Sequence, residues 1–235
     1  MLEDATCYET SMRYPTNVKL LLECTEWSFG QLKLMCKYLK IRMPRNKYEE
    51  QWVKYNDYSH KRKKTHKQTS KRIRSLLYLL EKILVLLKEI EKQHQDQLDL
   101  PKRYHTKIRT IRKVLKQQTA IFETGNNSVP ERIVSISKAY IRPIVRGKEV
   151  KAVEFGAKVN MIQFDGINFI EHLSFNAFNE GTRLIKSIRY GRSLFGKISC
   201  ISADDIYATN GNRKYSTGAQ IVNNFKRKGR AGKHE

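Results

Sequence analysis

Two adjacent carboxylates, Asp204 and Asp205, close the short apolar run Ile198 to Ala203 in the stretch ISCISADDIYATNGNR. Acidic side chains at the carboxyl end of a buried strand stand where an open α/β sheet places its chemistry. A simpler reading competes with this one. Asp accepts hydrogen bonds from the free N–H groups that open a helix, and a helix-like segment follows near Asn212 to Thr217, so either residue could act as its cap. A further carboxylate, Asp4, lies 200 residues earlier inside a strand-like opening, Met1 to Tyr8. The other reactive residue types point nowhere in particular. Cys7, Cys24, Cys36 and Cys200 form no CxxC pair and read as reduced, mostly buried thiols of a cytosolic protein. The six histidines are scattered, and His172, beside Glu171, reads as a surface side chain after a strand. No GxGxxG or P-loop spacing occurs, so nucleotide-dependent chemistry has no support.

Charge narrows the partner. The 235 residues hold 46 Lys and Arg against 23 Asp and Glu, a formal net charge of +23. Neutralising phosphates releases counterions, so such an excess points to a polyanion, with nucleic acid first and a membrane surface as the weaker alternative. No apolar run approaches the roughly 20 residues needed to span a bilayer. The opening MLEDATCYE is acidic where a signal peptide would be basic, so the expected location is the cytoplasm. The cations also cluster. Lys61, Arg62, Lys63, Lys64, Lys67, Lys71, Arg72 and Arg74 come without an intervening acid, and Lys102, Arg103, Lys107, Arg109, Arg112, Lys113 and Lys116 repeat the pattern. Any one of these lysines reads as a solvated surface residue, but two long unopposed runs repel themselves unless a polyanion compensates.

The elements that must position Asp4 and Asp204 follow from periodicity. From Pro15, Leu20, Leu21, Leu22, Trp27, Leu32, Leu34, Met35, Tyr38 and Leu39 mark a helix that ends before Pro44. A second helical run covers about 47 to 95, with Leu76 to Ile90 apolar on more than one face, and a third follows Pro101. Three such helices predict an antiparallel bundle or coiled-coil hairpin, with its leucines as core. GNNSVP, Gly125 to Pro130, reads as a linker. Beyond it, alternation over Val150 to Phe164, the turn pair Asp165-Gly166 and the return over Ile167 to Leu173 predict a β-hairpin. A helix at 179–192, a strand at 197–203, another helix and a strand at Ile221 to Phe225 complete the chain. The fold class predicted is therefore α/β with a mixed sheet, divided into a first strand (1–14), a helical insertion (15–125), the remainder of the core (126–225) and a basic tail (226–235).

Four blocks, DATCYETSMRYPTNVKLLLE, VSISKAYIRPIVRGKEVKAVEFGAKV, SADDIYATNGNRKY and NFKRKGRAGKHE, resemble in order bacterial insertion-sequence transposases of the DDE superfamily. The resemblance covers nearly the whole chain. It implies an RNase H-like core in which the first Asp lies on strand one, the second just after strand four, and a Glu on a later helix. Asp4 in DATCY takes the first position and Asp204 in ADDIY the second, while Asp205 falls where the motif varies. The resemblance also implies a Mg²⁺ or Mn²⁺ cofactor, with two ions in the complete enzyme, holding water or a 3′-hydroxyl for strand cleavage and transfer. Its implied partners are transposon-end and target DNA, with a homo-oligomer in a synaptic complex at the bacterial nucleoid, and neither a membrane nor a small-molecule substrate. The chain offers no helix-borne Glu after Asp204, since Glu235 ends a basic tail, so a truncated piece lacking the third carboxylate is expected. Arg142, Arg146, Lys148 and Lys158 around the hairpin, and Lys226, Arg227, Lys228 and Arg230 in the tail, are the expected phosphate contacts. Two other readings stand beside the enzyme: a non-catalytic DNA binder using its basic helices, and a coiled-coil adaptor built on residues 47 to 123.

Overall fold

A computed structural model of the chain describes residues 1–12, 14–145 and 153–226. The protein is mixed α/β, with six α-helices and a six-stranded mixed sheet among the described residues. No described helix is long and apolar enough to cross a membrane. Two compact units divide the chain, one formed by Arg13–Tyr140 and the other by Met1–Met12 with Ile141–Glu235.

The first unit is helical. α1 (Asn17–Tyr38) starts where the Thr16 hydroxyl accepts the Lys19 N–H. The run expected at 47 to 95 is broken into α2 (Tyr48–His60) and α3 (His66–Gln93). Consecutive cations from Lys61 to Lys64 occupy the break, and Thr65 with Gln68 forms a reciprocal capping box that restarts the helix. α4 (Lys102–Thr124) stops at Gly125, whose φ of 69° is accessible to glycine without penalty. Leu21, Leu32, Leu80, Ile83, Leu87 and Ile111 are completely buried among these helices. Each such side chain contributes about 1.5–3 kcal/mol by leaving water. The unit runs on to Tyr140 rather than ending at the GNNSVP stretch. The amide of buried Gln117 donates to the Pro130 and Glu131 carbonyls at 3.0 and 3.1 Å, its oxygen accepts the Ile133 N–H, and Ile133 and Ile136 join the helical core.

The second unit carries the sheet. Its strands are β1 (Leu2–Glu9), β2 (Pro143–Val145), β3 (Val153–Phe164), β4 (Ile167–Ser174), β5 (Cys200–Ala203) and β6 (Val222–Asn223). β1 is central, antiparallel to β3 on one side and parallel to β5 on the other, with β6 parallel beyond β5. β4 and the short β2 both pair antiparallel with β3. The β3–β4 turn uses Asp165 and Gly166 at φ 47° and 82°, the doubly left-handed turn that matches strand twist. α5 (Leu184–Phe195) and α6 (Asn210–Gly218) complete the unit, whose second core joins Leu184, Ile188, Ile198, Ile201, Tyr207, Ile221 and Phe225.

Candidate functional site

The β1–β5 register decides where the carboxylates go. Leu2 stands beside Ser202 and Glu3 beside Ala203, in parallel. Asp4 and Asp204 are the next residues along each strand, and Asp204 keeps extended backbone at φ −62° and ψ 158°. Side chains alternate along strands and neighbouring strands lie about 4.8 Å apart, so the two carboxylates adjoin on the same side of the sheet. Both residues are exposed. Asp4 Oδ1 accepts the Ala5 N–H at 2.7 Å, a bond that turns one oxygen back to its own strand.

The competing cap role falls to other groups. Asp204 precedes a 3₁₀ turn, Asp205–Tyr207, yet its side chain makes no capping hydrogen bond. α6 is capped by Thr209, whose hydroxyl accepts the Asn212 N–H at 3.2 Å. Asp205 lies 3.7 Å from the Lys226 ammonium with both side chains well exposed, a pairing worth little. Asp204 is thus left with a carboxylate that accepts no hydrogen bond among the described residues.

The opposite side of the sheet holds a buried polar network absent from the sequence reading. Glu3 is 3 % exposed, and its Oε1 accepts from Asn160 Nδ2 at 3.0 Å and from Ser187 Oγ at 2.5 Å. Oε2 is buried without a partner. Burial pushes the Glu3 carboxyl up to about 7, against the lowering effect of the Asn160 and Ser187 hydrogen bonds. Tyr207, just past Asp204, donates to Asn160 Oδ1 at 2.6 Å, so one amide ties the β5 turn to β1. Burial first, then the charges of Glu3, Glu180, Asp4 and Asp204, push the Tyr207 phenol upward and keep it a donor. The β3–β4 register slips at Asn160/Met161, where Asn160 faces His172 and Met161 faces Ile170. Glu171 is the extra residue of that bulge, and it accepts from Asn160 while pairing with Arg183 of the segment leading into α5. The turn is fixed from behind as well: Asn212 Nδ2 donates to the Gly181 and Tyr207 carbonyls, both at 2.7 Å. Strand alternation next to Asp4 was the signal available for Glu3, since adjacent residues face opposite sides.

The expected phosphate contacts divide. Lys158 departs from its expectation: it is 7 % exposed, its ammonium lies 2.6 Å from Glu180, donates to the Phe178 carbonyl and sits over the Phe178 ring. Its even position in β3 puts it on the same side as Asn160 and Ile162, so a backbone phosphate cannot reach it. Arg142 is half-buried and donates from Nη1 to the Ile141 carbonyl. Lys226 is exposed beside Asp205. Arg146, Lys148, Arg227, Lys228 and Arg230 lie outside the described residues. In the helical unit Lys61, Arg62, Lys63, Lys64, Lys67, Lys71 and Arg74 are exposed, whereas Arg72 is buried.

As metal donors, Asp4 and Asp204 supply hard carboxylate oxygens open to water, which suits a divalent cation that keeps several waters. Among the described residues, no group of three or more His, Cys, Asp or Glu side chains is placed to hold a metal ion. Asp4 and Asp204 are thus two carboxylates that such a cation could share, without a third donor of these types beside them among the described residues. Compared with family models, curated proteins and solved structures, the chain gives no match.

Proposed function

We propose that the chain is a DDE-type DNA transposase, or the part of one that bears its first two carboxylates, acting in metal-dependent strand cleavage and strand transfer of an insertion sequence. The observation that carries this reading is the β1–β5 register, which brings exposed Asp4 on β1 beside exposed Asp204 at the residue that directly follows β5. The strand sequence supports it too. With the three-residue edge strand β2 set aside, Asp4 is on the first strand and Asp204 directly follows the fourth, as the resemblance to an RNase H-like core requires. The helical unit then corresponds to an insertion between the first strand and the hairpin.

Asp4 and Asp204 would hold Mg²⁺ or Mn²⁺, which when bound supplies Lewis-acid activation of the attacking oxygen and charge relief on the leaving oxygen. The chain's own residues do the rest. The Tyr207–Asn160–Glu3 hydrogen bonds fix the turn after Asp204 against the strand that carries Asp4, which sets the spacing of the two donors. Exposed cations such as Lys226 attract the phosphate backbone without reading its sequence. DNA is the partner, and the bacterial nucleoid the place of action.

Calorimetric titration with Mn²⁺ tests the site directly. Asp4→Asn and Asp204→Asn are each expected to weaken binding at least tenfold, and Asp204→Ala to abolish any Mg²⁺- or Mn²⁺-dependent nicking of supercoiled DNA. Unchanged Mn²⁺ affinity in both Asn variants, or nicking that survives Asp204→Ala, refutes the proposal. The second reading, a non-catalytic DNA binder, is favoured by the row of exposed cations between α2 and α3. It predicts steeply salt-dependent DNA affinity that Asp4→Ala leaves unchanged.

A further inference from the structure

A cleft of about 310 Å³ lies between α2 and the start of α3, lined by Lys54, Lys61, Lys71 and Arg72, with Gln68 and one acid, Asp57. Lys54 is already paired with Glu50 one turn earlier. Lys61 and Lys71 form no ion pair among the described residues, and both are exposed at the mouth. Arg72 is different. It is 8 % exposed; Nη1 donates to Gln51 Oε1 at 3.3 Å, and the Glu50 carboxylate, already paired with Lys54, is the acid whose charge also acts on it. A guanidinium carries five donors and no acceptor, so the N–H groups of Arg72 that Gln51 does not take are open to an anion entering the cleft. Arg72, the two lysines outside any ion pair and a cleft with a single acid in its lining converge on an anionic occupant. The first turn of α3 also bears no acidic residue, so the positive end of a 28-residue helix adds to the field there.

We propose that this cleft is a discrete binding site for one phosphate group of the DNA backbone. A phosphate offers several oxygens in a compact tetrahedron. Arg72 can take two of them through its planar fork, while Lys61 and Lys71 act as point charges at the mouth. The inference rests on the reading above only for the source of the phosphate, and it uses neither Asp4 nor Asp204.

The test compares the full chain with a Lys61→Gln/Lys71→Gln double variant and a Lys82→Gln/Lys88→Gln control, whose two lysines are exposed on α3 outside the cleft. Binding to a duplex oligonucleotide is measured against salt concentration. The cleft pair is expected to lower affinity about tenfold at fixed salt and to reduce the log–log salt slope by about 0.9, the contribution of one phosphate. The control pair is expected to change affinity less than twofold. Arg72→Gln should reproduce the cleft effect if it folds, but the exposed double variant decides the matter alone. DNA binding with the same slope in the cleft and control variants overturns the site while leaving DNA as the partner. A wild-type chain that binds no DNA overturns both this site and the DNA partner proposed above. A parallel arm measures thermal stability in inorganic phosphate. Stabilisation of wild type but not of the cleft variant, with DNA affinity unaffected, assigns the cleft to free phosphate and overturns the DNA source.

Discussion

Replacing Glu3 by Gln exchanges a buried carboxyl for an amide of the same shape and removes its titration. Burial lifts the Glu3 carboxyl from 4.5 to about 7, so between those values the folded chain holds a proton that the unfolded chain has released. Stability linked to Glu3 is therefore fully present below about pH 4.5 and is lost as pH rises through about 7. That interval, at about 1.4 kcal/mol per pH unit, corresponds to about 3 kcal/mol for this nearly unexposed group. The Gln amide keeps an oxygen for Asn160 and Ser187 but presents two N–H donors where Oε2 has no partner, which costs about 1–3 kcal/mol at every pH. The informative quantity is thus the change with pH rather than the absolute difference. Native-state hydrogen exchange of the β3 amides of Val159 and Ile162, corrected for intrinsic rates, reads the stability of the sheet unit from pH 4 to pH 8. Wild type is expected to lose about 3 kcal/mol over that range relative to Glu3→Gln. Parallel curves for the two proteins would show that Glu3 is ionised throughout and that Arg183, not protonation, offsets its burial.

Lys158→Met leaves Glu180, 13 % exposed at its side chain, without its partner, and is expected to destabilise the sheet unit by about 3–5 kcal/mol while leaving the salt slope of DNA binding unchanged. A reduced slope would return Lys158 to the phosphate contacts. Tyr207→Phe removes the donor to buried Asn160 Oδ1 and is expected to cost about 1–3 kcal/mol by thermal unfolding, together with weaker Mn²⁺ binding. Equal stability and Mn²⁺ affinity would separate the network from the carboxylate pair. Gly181→Ala would bring a Cβ to 2.5 Å from the Ile206 carbonyl, so the 3₁₀ turn after Asp204 must shift. A lower melting temperature is expected, and an unchanged one would show that the turn has room to move.

Local chemistry was legible in the sequence wherever neighbours along the chain decide the outcome. Leucine periodicity marked α1, α3 and α4 because a helix buries residues three and four apart, and Asp165-Gly166 marked the hairpin because few residue pairs accept two positive φ values. The break at Lys61 to Lys64 was also written locally, in the Thr65–Gln68 capping box, but reading 47 to 95 as one run, on the strength of the apolar pattern in its latter half, masked it. Long-range pairing was not legible. That Asp4 adjoins Asp204 depends on β1 pairing in parallel with β5 in one register, and a slip of one residue would set Glu3 and Asp204 side by side instead. The β1–β3 register, with Ala5 opposite Asn160, brings buried Glu3 to Asn160, 157 positions away, and Ser187, 184 positions away, closes on the same carboxylate. Lys158 shows the limit most clearly. Its sequence neighbours present it as one more cation of a basic chain, and only the alternation of β3 against β1 turns it inward to Glu180. Sequence alone determined the main helices and the β3–β4 hairpin, together with the net charge of +23 from which a polyanionic partner is expected. Tertiary structure decided which charges face water, because burial is set by what packs across the sheet and not by what precedes or follows along the chain.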